Sequence, residues 1–194
     1  GGAGTARVSG WVEPVKGAFE GTATLAGTDL ATGTAELDRL LAGQSTVSAK
    51  LRRSAEGLFL DEIALQARTL ALQGQGVLRT GASDVTATLD FRDLSVLGAG
   101  YRGALSARAA LREDGGVQAY TLTGTGQDLA LGQASADRLL RGATQIDLAA
   151  TRRAGALTLD RLVVENPQVR ASASGTPAQI DLSARLANAA ILLP

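Results

Sequence analysis

The nonapeptide Ser45-Thr46-Val47-Ser48-Ala49-Lys50-Leu51-Arg52-Arg53 sets Val47, Ala49 and Leu51 on one side of an extended chain and Thr46, Ser48, Lys50 and Arg52 on the other. Strict alternation is the signature of a half-buried β-strand. Ser54-Ala55-Glu56-Gly57 then reads as a turn, and Leu58 and Leu60 resume the alternation. After Asp61-Glu62 the apolar phase slips by one, to Ile63, Leu65 and Ala67, as a β-bulge requires, and Asp160-Arg161 shows the same slip.

The same grammar runs outward along the chain. Leu70, Leu72, Gly74, Gly76 and Leu78 lead to a turn at Thr80-Gly81-Ala82-Ser83, and Val85, Ala87, Leu89 and Phe91 return from it. Leu105, Ala107, Ala109 and Leu111 run into Glu113-Asp114-Gly115-Gly116, a strong hairpin signal, and Val117, Ala119 and Thr121 return from it. The last third repeats the theme with Ile146, Leu148 and Ala150, then Leu157, Leu159, Leu162 and Val164, then Ile180, Leu182, Ala184 and Leu186. One polar side per strand predicts an all-β, antiparallel sheet that is wet on one face. Two stretches break the pattern, AELDRLL (35–41) and ASADRLL (134–140), each followed by a glycine, Gly43 or Gly142. Each predicts about two turns of helix, too short to stand without packing, and so a plug or cap against the sheet.

Residue types exclude several chemistries. The 194 residues contain no Cys and no His, so there is no imidazole or thiol for a nucleophilic triad, no ordinary zinc or copper site and no disulfide. Nineteen basic and nineteen acidic side chains give a formal net charge of zero, which argues against nucleic acid as a partner. No apolar run approaches the roughly 20 residues of a membrane helix. The absence of Met predicts a processed protein or a piece of a longer one, with any anchor or export signal outside this segment.

The sequence also matches itself at an offset of 99, from Thr22 with Thr121 to Gly76 with Gly175 without a gap. The shared pattern is T-x-T-x-x-G-x-D-L-A-x-G-x-A-x-x-D-R-L-L-x-G, followed by Leu58-x-Leu60-Asp61 and Leu157-x-Leu159-Asp160. So long a period demands several strands per unit. Residues 1–194 therefore read as one segment of a longer β-repeat array, with blocks at about 22–100 and 121–194.

The D-L-A-x-G-x-A-x-x-D-R-L-L-x-G stretches and the L-x-L-D strands that follow resemble the repeat region of the TamB family, which is related to the AsmA-like proteins. The resemblance implies an elongated antiparallel sheet curled lengthwise into an open groove, a β-taco, apolar inside and polar outside. It implies a periplasmic location in a parent chain anchored in the inner membrane, the outer-membrane protein TamA as partner, and roles in phospholipid passage and outer-membrane protein assembly. On that reading the stripe set out above, from Val47 and Leu51 to Leu182 and Leu186, lines a path for phospholipid acyl chains, and adjacent repeats of the parent chain are further partners. No cofactor and no metal is expected.

Plainer readings stand beside these. The stripe also suits the filled core of a sandwich or a barrel, or of a secreted adhesin-like β-repeat module. A transmembrane barrel would carry aromatic girdles, and only 3% of the residues are aromatic. Asp29 with Asp38, and Asp128 with Asp137, are conceivable as catalytic carboxylates but fit turn-forming and helix-capping roles better. Gly74-Gln75-Gly76 and Gly124-Thr125-Gly126 lack the strand-to-helix context of a phosphate-binding turn and fit close backbone packing. Arg52-Arg53 and Arg152-Arg153 read as solvated hairpin residues or as contacts to lipid headgroups. No acid, base and nucleophile stand together as an enzyme would need.

Overall fold

The computed structural model describes residues 3–188. Twelve strands follow one another as a single antiparallel meander: β1 (Ala3–Glu13), β2 (Ala18–Thr28), β3 (Gln44–Ser54), β4 (Gly57–Gln66), β5 (Leu70–Leu78) and β6 (Asp84–Phe91). β7 (Tyr101–Asp114), β8 (Val117–Leu131), β9 (Ala143–Arg153), β10 (Ala156–Glu165), β11 (Val169–Thr176) and β12 (Gln179–Leu186) complete it. Every strand pairs with its sequence neighbours, and the sheet does not close: β1 and β12 remain as edges among the described residues.

Two short helices, α1 (Ala35–Leu40) and α2 (Ala134–Leu139), occupy the stretches where alternation fails, and a single 3-10 turn spans Leu94–Leu97. The phase slip at Asp61-Glu62 is a register shift between Leu60 and Ile63, matched by one between Leu159 and Leu162. Glu113–Gly116 turns the chain through Gly115 and Gly116 at φ of 55° and 80°, where glycine meets no steric cost.

Alternate connections lie on opposite rims. The tight hairpins, such as that between β3 and β4, form one rim; α1, α2, the 3-10 turn and the two remaining short links form the other. The molecule is a single layer. Its accessible surface of 12120 Å² compares with about 8,600 Å² expected of a compact monomer of its 19.7 kDa mass. Among the described residues only Leu41, Phe91, Leu94, Leu129 and Val169 are buried apolar side chains.

Candidate functional site: an apolar face plugged at one rim

Strand register decides which side chains share a face, because residues directly opposite in a ladder point the same way. One row across the sheet contains Val47, Leu65, Leu72, Leu89, Ile146 and Val164. The next contains Ile63, Leu148, Leu162 and Leu182, joined through Gly74, Ala87, Ala109 and Ala173. A third holds Leu51, Leu60, Val85, Leu111, Leu159 and Ile180. Leu70, Phe91 and Leu105 stand together near one rim, with Leu186 opposite Val169, while Leu58 and Leu157 lie near the hairpin rim opposite Leu78 and Arg152. The stripe residues named above fall on one face, but β8 is out of phase with its reading: Val117, Ala119 and Thr121 lie on the polar side, because Tyr120 and Leu122 pair with Leu111 and Ala109. The two bulges keep the apolar phase across β4 and β10.

The same rows hold residues that the sequence reading passed over: Val8 and Leu25 in the first two strands, and Tyr120 and Leu122 in β8. Val8 is 81% exposed and Leu182 75%, so the apolar face is barest at its two edges. The opposite face is polar. Its one large aromatic in β4, Phe59, is covered by the Arg52 guanidinium 3.9 Å from the ring centroid.

The repeated motif builds the plug. Asp29 and Asp128 take positive φ, 52° and 49°, a conformation that Asp tolerates better than most residues. Each donates its backbone N–H to the carbonyl of Gly43 or Gly142 at 3.0 Å, and each carboxylate accepts from the N–H of the same glycine at 2.8 Å. Asp38 accepts from the N–H and hydroxyl of Thr32, and Asp137 from the N–H of Leu131. Nε of Arg39 and of Arg138 donates to the carbonyl of Ala35 and of Ala134, both at 3.2 Å.

Such a clamp needs room for the leucine that follows the Asp. A Cβ on Gly27 would lie 2.5 Å from Leu30, and one on Gly126 would lie 2.4 Å from Leu129. The G-x-D-L of the repeat is therefore a space, a clamp and a side chain that fills the space. These aspartates tie loops. Helix capping falls elsewhere, on Thr34 and Gln133, and neither makes a side-chain cap bond.

Phe91, Leu94 and Leu129 form the buried centre of the plug, with Leu40 of α1, Leu140 beside α2, and Val96 and Leu97 of the 3-10 turn packed against it. Leu70, Leu105 and Ile146 contribute from the apolar face, so the insertions fold over that face. Helix α1 touches the 3-10 turn although four strands separate them in the sheet. Asp93 fixes that turn by accepting from the N–H of Ser95 at 2.9 Å.

Hydrogen bonds hold three carboxyls below the usual range. For Asp38 the donor is the backbone of Thr32, for Asp93 the side chain of Ser95, and for Asp128 the side chain of Gln127 with help from the N–H of Gly142. Asp38 and Asp93 sit in the insertions and Asp128 near the end of β8 beside one, and all three hold loops.

A hollow of about 860 Å³ lies on the polar face between β5 and β11 and was not foreseen from the pattern. Gln73, Thr88, Thr123 and Gln145 line it, and four of its ionic side chains pair across it, Arg161 with Asp147 at 2.7 Å and Arg170 with Glu165 at 3.2 Å. It is an open trough with balanced charge. Sheet twist generates hollows that residue alternation does not report.

Among the described residues no group of three or more carboxylates could hold a metal ion, and no helix is long and apolar enough to cross a membrane. Compared with family models, curated proteins and solved structures, the chain matches none.

Proposed function

We propose that the chain is a groove segment of the TamB-like kind, whose apolar face shields lipid acyl chains on their way between two membranes. The observation that carries this reading is the sharing of one face by the apolar rows across a single-layer sheet, most of whose side chains are only half-buried and have no second layer packed on them outside the plug. Covering such a face with hydrocarbon is favourable at about 25 cal/mol per Å². A filled β-module would bury its stripe in a second layer. The contact of α1 with the 3-10 turn across four strands supports a plug rim that arches over the apolar side, as in a β-taco. The matched clamps at Asp29 and Asp128 support a duplicated unit of 99 residues.

On this reading the segment belongs to a periplasmic stretch of an inner-membrane-anchored protein, works without cofactor or catalysis, and meets adjacent repeats at its edges. TamA is the outer-membrane partner, and assembly of outer-membrane proteins is the second role. The first test is native mass spectrometry of the purified chain after exposure to phospholipid. Bound lipid is expected in the unaltered chain and lost in Leu60→Arg and Leu159→Arg, with circular dichroism unchanged. A chain that takes up no lipid overturns the reading.

A further inference from the structure

We infer that an acyl-chain ligand lies along the strands in one fixed direction, tails towards the plug and a phosphate-bearing head at Arg53 or Arg152, one phospholipid to each arginine; this rests on the acyl-chain reading above. Among the strand residues that share the apolar face, the charged ones are Arg53, Glu113 and Arg152, and all three lie at the hairpin rim. Register sets Arg53 between Phe19 and Leu58, and Arg152 between Gln118 and Leu157. Neither arginine forms an ion pair among the described residues. Glu113 is held back, its carboxylate accepting from the Ser83 hydroxyl at 3.1 Å.

The neighbouring arginine in the first pair turns away. Arg52 packs on Phe59 and approaches Asp61 at 3.8 Å on the polar face. Each double-arginine hairpin thus offers one guanidinium to the apolar side, where five donors suit a phosphate. At the opposite rim the same face ends in Phe91, Leu94, Leu129 and their neighbours, while charged side chains of the insertions, such as Asp38 and Arg39, bond to backbone within their own loops.

Length agrees with this polarity. From Arg53 to Ser45, where the insertions begin, eight strand steps span about 26 Å at roughly 3.3 Å each. A tail occupies about 15 Å, half of a bilayer's ~30 Å hydrocarbon core. Arg53 on β3 and Arg152 on β9 are six strands apart, about 29 Å at roughly 4.8 Å per strand. With five strands of sheet between them, the two arginines make two berths.

The test uses the whole chain with two probes, a phosphatidylglycerol and a diacylglycerol of identical tails, each with a photoreactive group at the tail end. Phosphatidylglycerol is expected to be captured roughly tenfold better at low salt, the effect of a charge-assisted hydrogen bond, with labelling within 91–97 and 129–140. Arg53→Gln or Arg152→Gln is expected to remove about half of this preference and the double variant all of it, with diacylglycerol capture unchanged. Equal capture of the two probes by the unaltered chain, tail labels at the hairpin rim, or an unchanged preference in the double variant overturns the inference and leaves acyl-chain binding standing. Capture of neither probe overturns both. Both arginines are exposed at strand ends, so the variants are expected to keep the strand signal in circular dichroism.

Discussion

The two plug units, residues 28–44 and 127–143, start from one motif and end in different surroundings. In the first, the clamp is internal: Thr32 gives both its N–H and its hydroxyl to Asp38, and Ser45 donates to the Leu41 carbonyl at 3.2 Å. In the second, Leu131 stands where Thr32 stands, and the hold comes from outside. Asn166, in the link between β10 and β11, donates to the Leu139 carbonyl at 2.6 Å and to the Thr144 hydroxyl at 3.3 Å. Ala67 is the corresponding residue in the first unit and has no side chain to offer.

Burial follows the same division, since Leu129 is buried and its counterpart Leu30 only half-buried. A motif repeated in sequence fixes the local clamp, while the strands around it decide how much stability it yields. The second unit has strands packed on both sides, and the first has only two strands beyond it.

The sharpest way to break this comparison is to empty both plugs. Leu129→Ala is expected to cost about 3 kcal/mol, as for a buried leucine, and Leu30→Ala about 1 kcal/mol, as for a half-exposed one. Urea unfolding followed by circular dichroism reads the difference, and equal costs would mean that the units are equivalent after all. Next in size, Asn166→Ala is expected to lose about 1–2 kcal/mol, because the Leu139 carbonyl and Thr144, which is 1% exposed, lose a partner. The reciprocal change Ala67→Asn is expected to add up to about 1 kcal/mol by giving the first unit the outside hold it lacks. Thermal unfolding midpoints that fail to move in opposite directions would refute the idea.

The smallest effect is on acid stability. Thr32 lowers the Asp38 carboxyl from its ordinary value of 3.8 on folding, and Gln127 and Gly142 do the same for Asp128. A depressed carboxyl stabilises the fold above its unfolded value and loses that contribution as the pH falls through the folded one. Stability is therefore expected to drop below pH 3.8, and Asp38→Asn or Asp128→Asn to flatten the decline. An unaltered slope in pH-dependent unfolding would show that these clamps are indifferent to charge.

Most of the strand pattern was legible because a two-residue period survives in every run, and even the bulges announced themselves as phase slips at Asp61-Glu62 and Asp160-Arg161. The helices were legible as breaks in that period. The 3-10 turn was not: Leu94-Ser95-Val96-Leu97 has too few residues to show a helical repeat, and its one cue was Asp93 two residues before Ser95. The apolar face was legible in most strands but not in β8, where Val117-Gln118-Ala119-Tyr120-Thr121-Leu122 offers apolar residues in both phases, and the helices were legible as plugs though their shared centre was not. The convergence of Leu40, Leu94 and Leu129 joins residues that lie far apart in the chain, and no local pattern encodes that meeting. Asn166 escaped for a related reason, since its partners are 22 and 27 residues away.

The unbroken strand order has a consequence for size. Because each strand pairs only with its sequence neighbours, the sheet behaves as a tape whose reach is counted in hairpins, about 53 Å from β1 to β12 at roughly 4.8 Å per strand step. Excising or duplicating a hairpin such as β5–β6 changes that reach by about 10 Å and requires no new kind of junction, so evolution or an engineer adjusts the distance spanned by simple insertion and deletion.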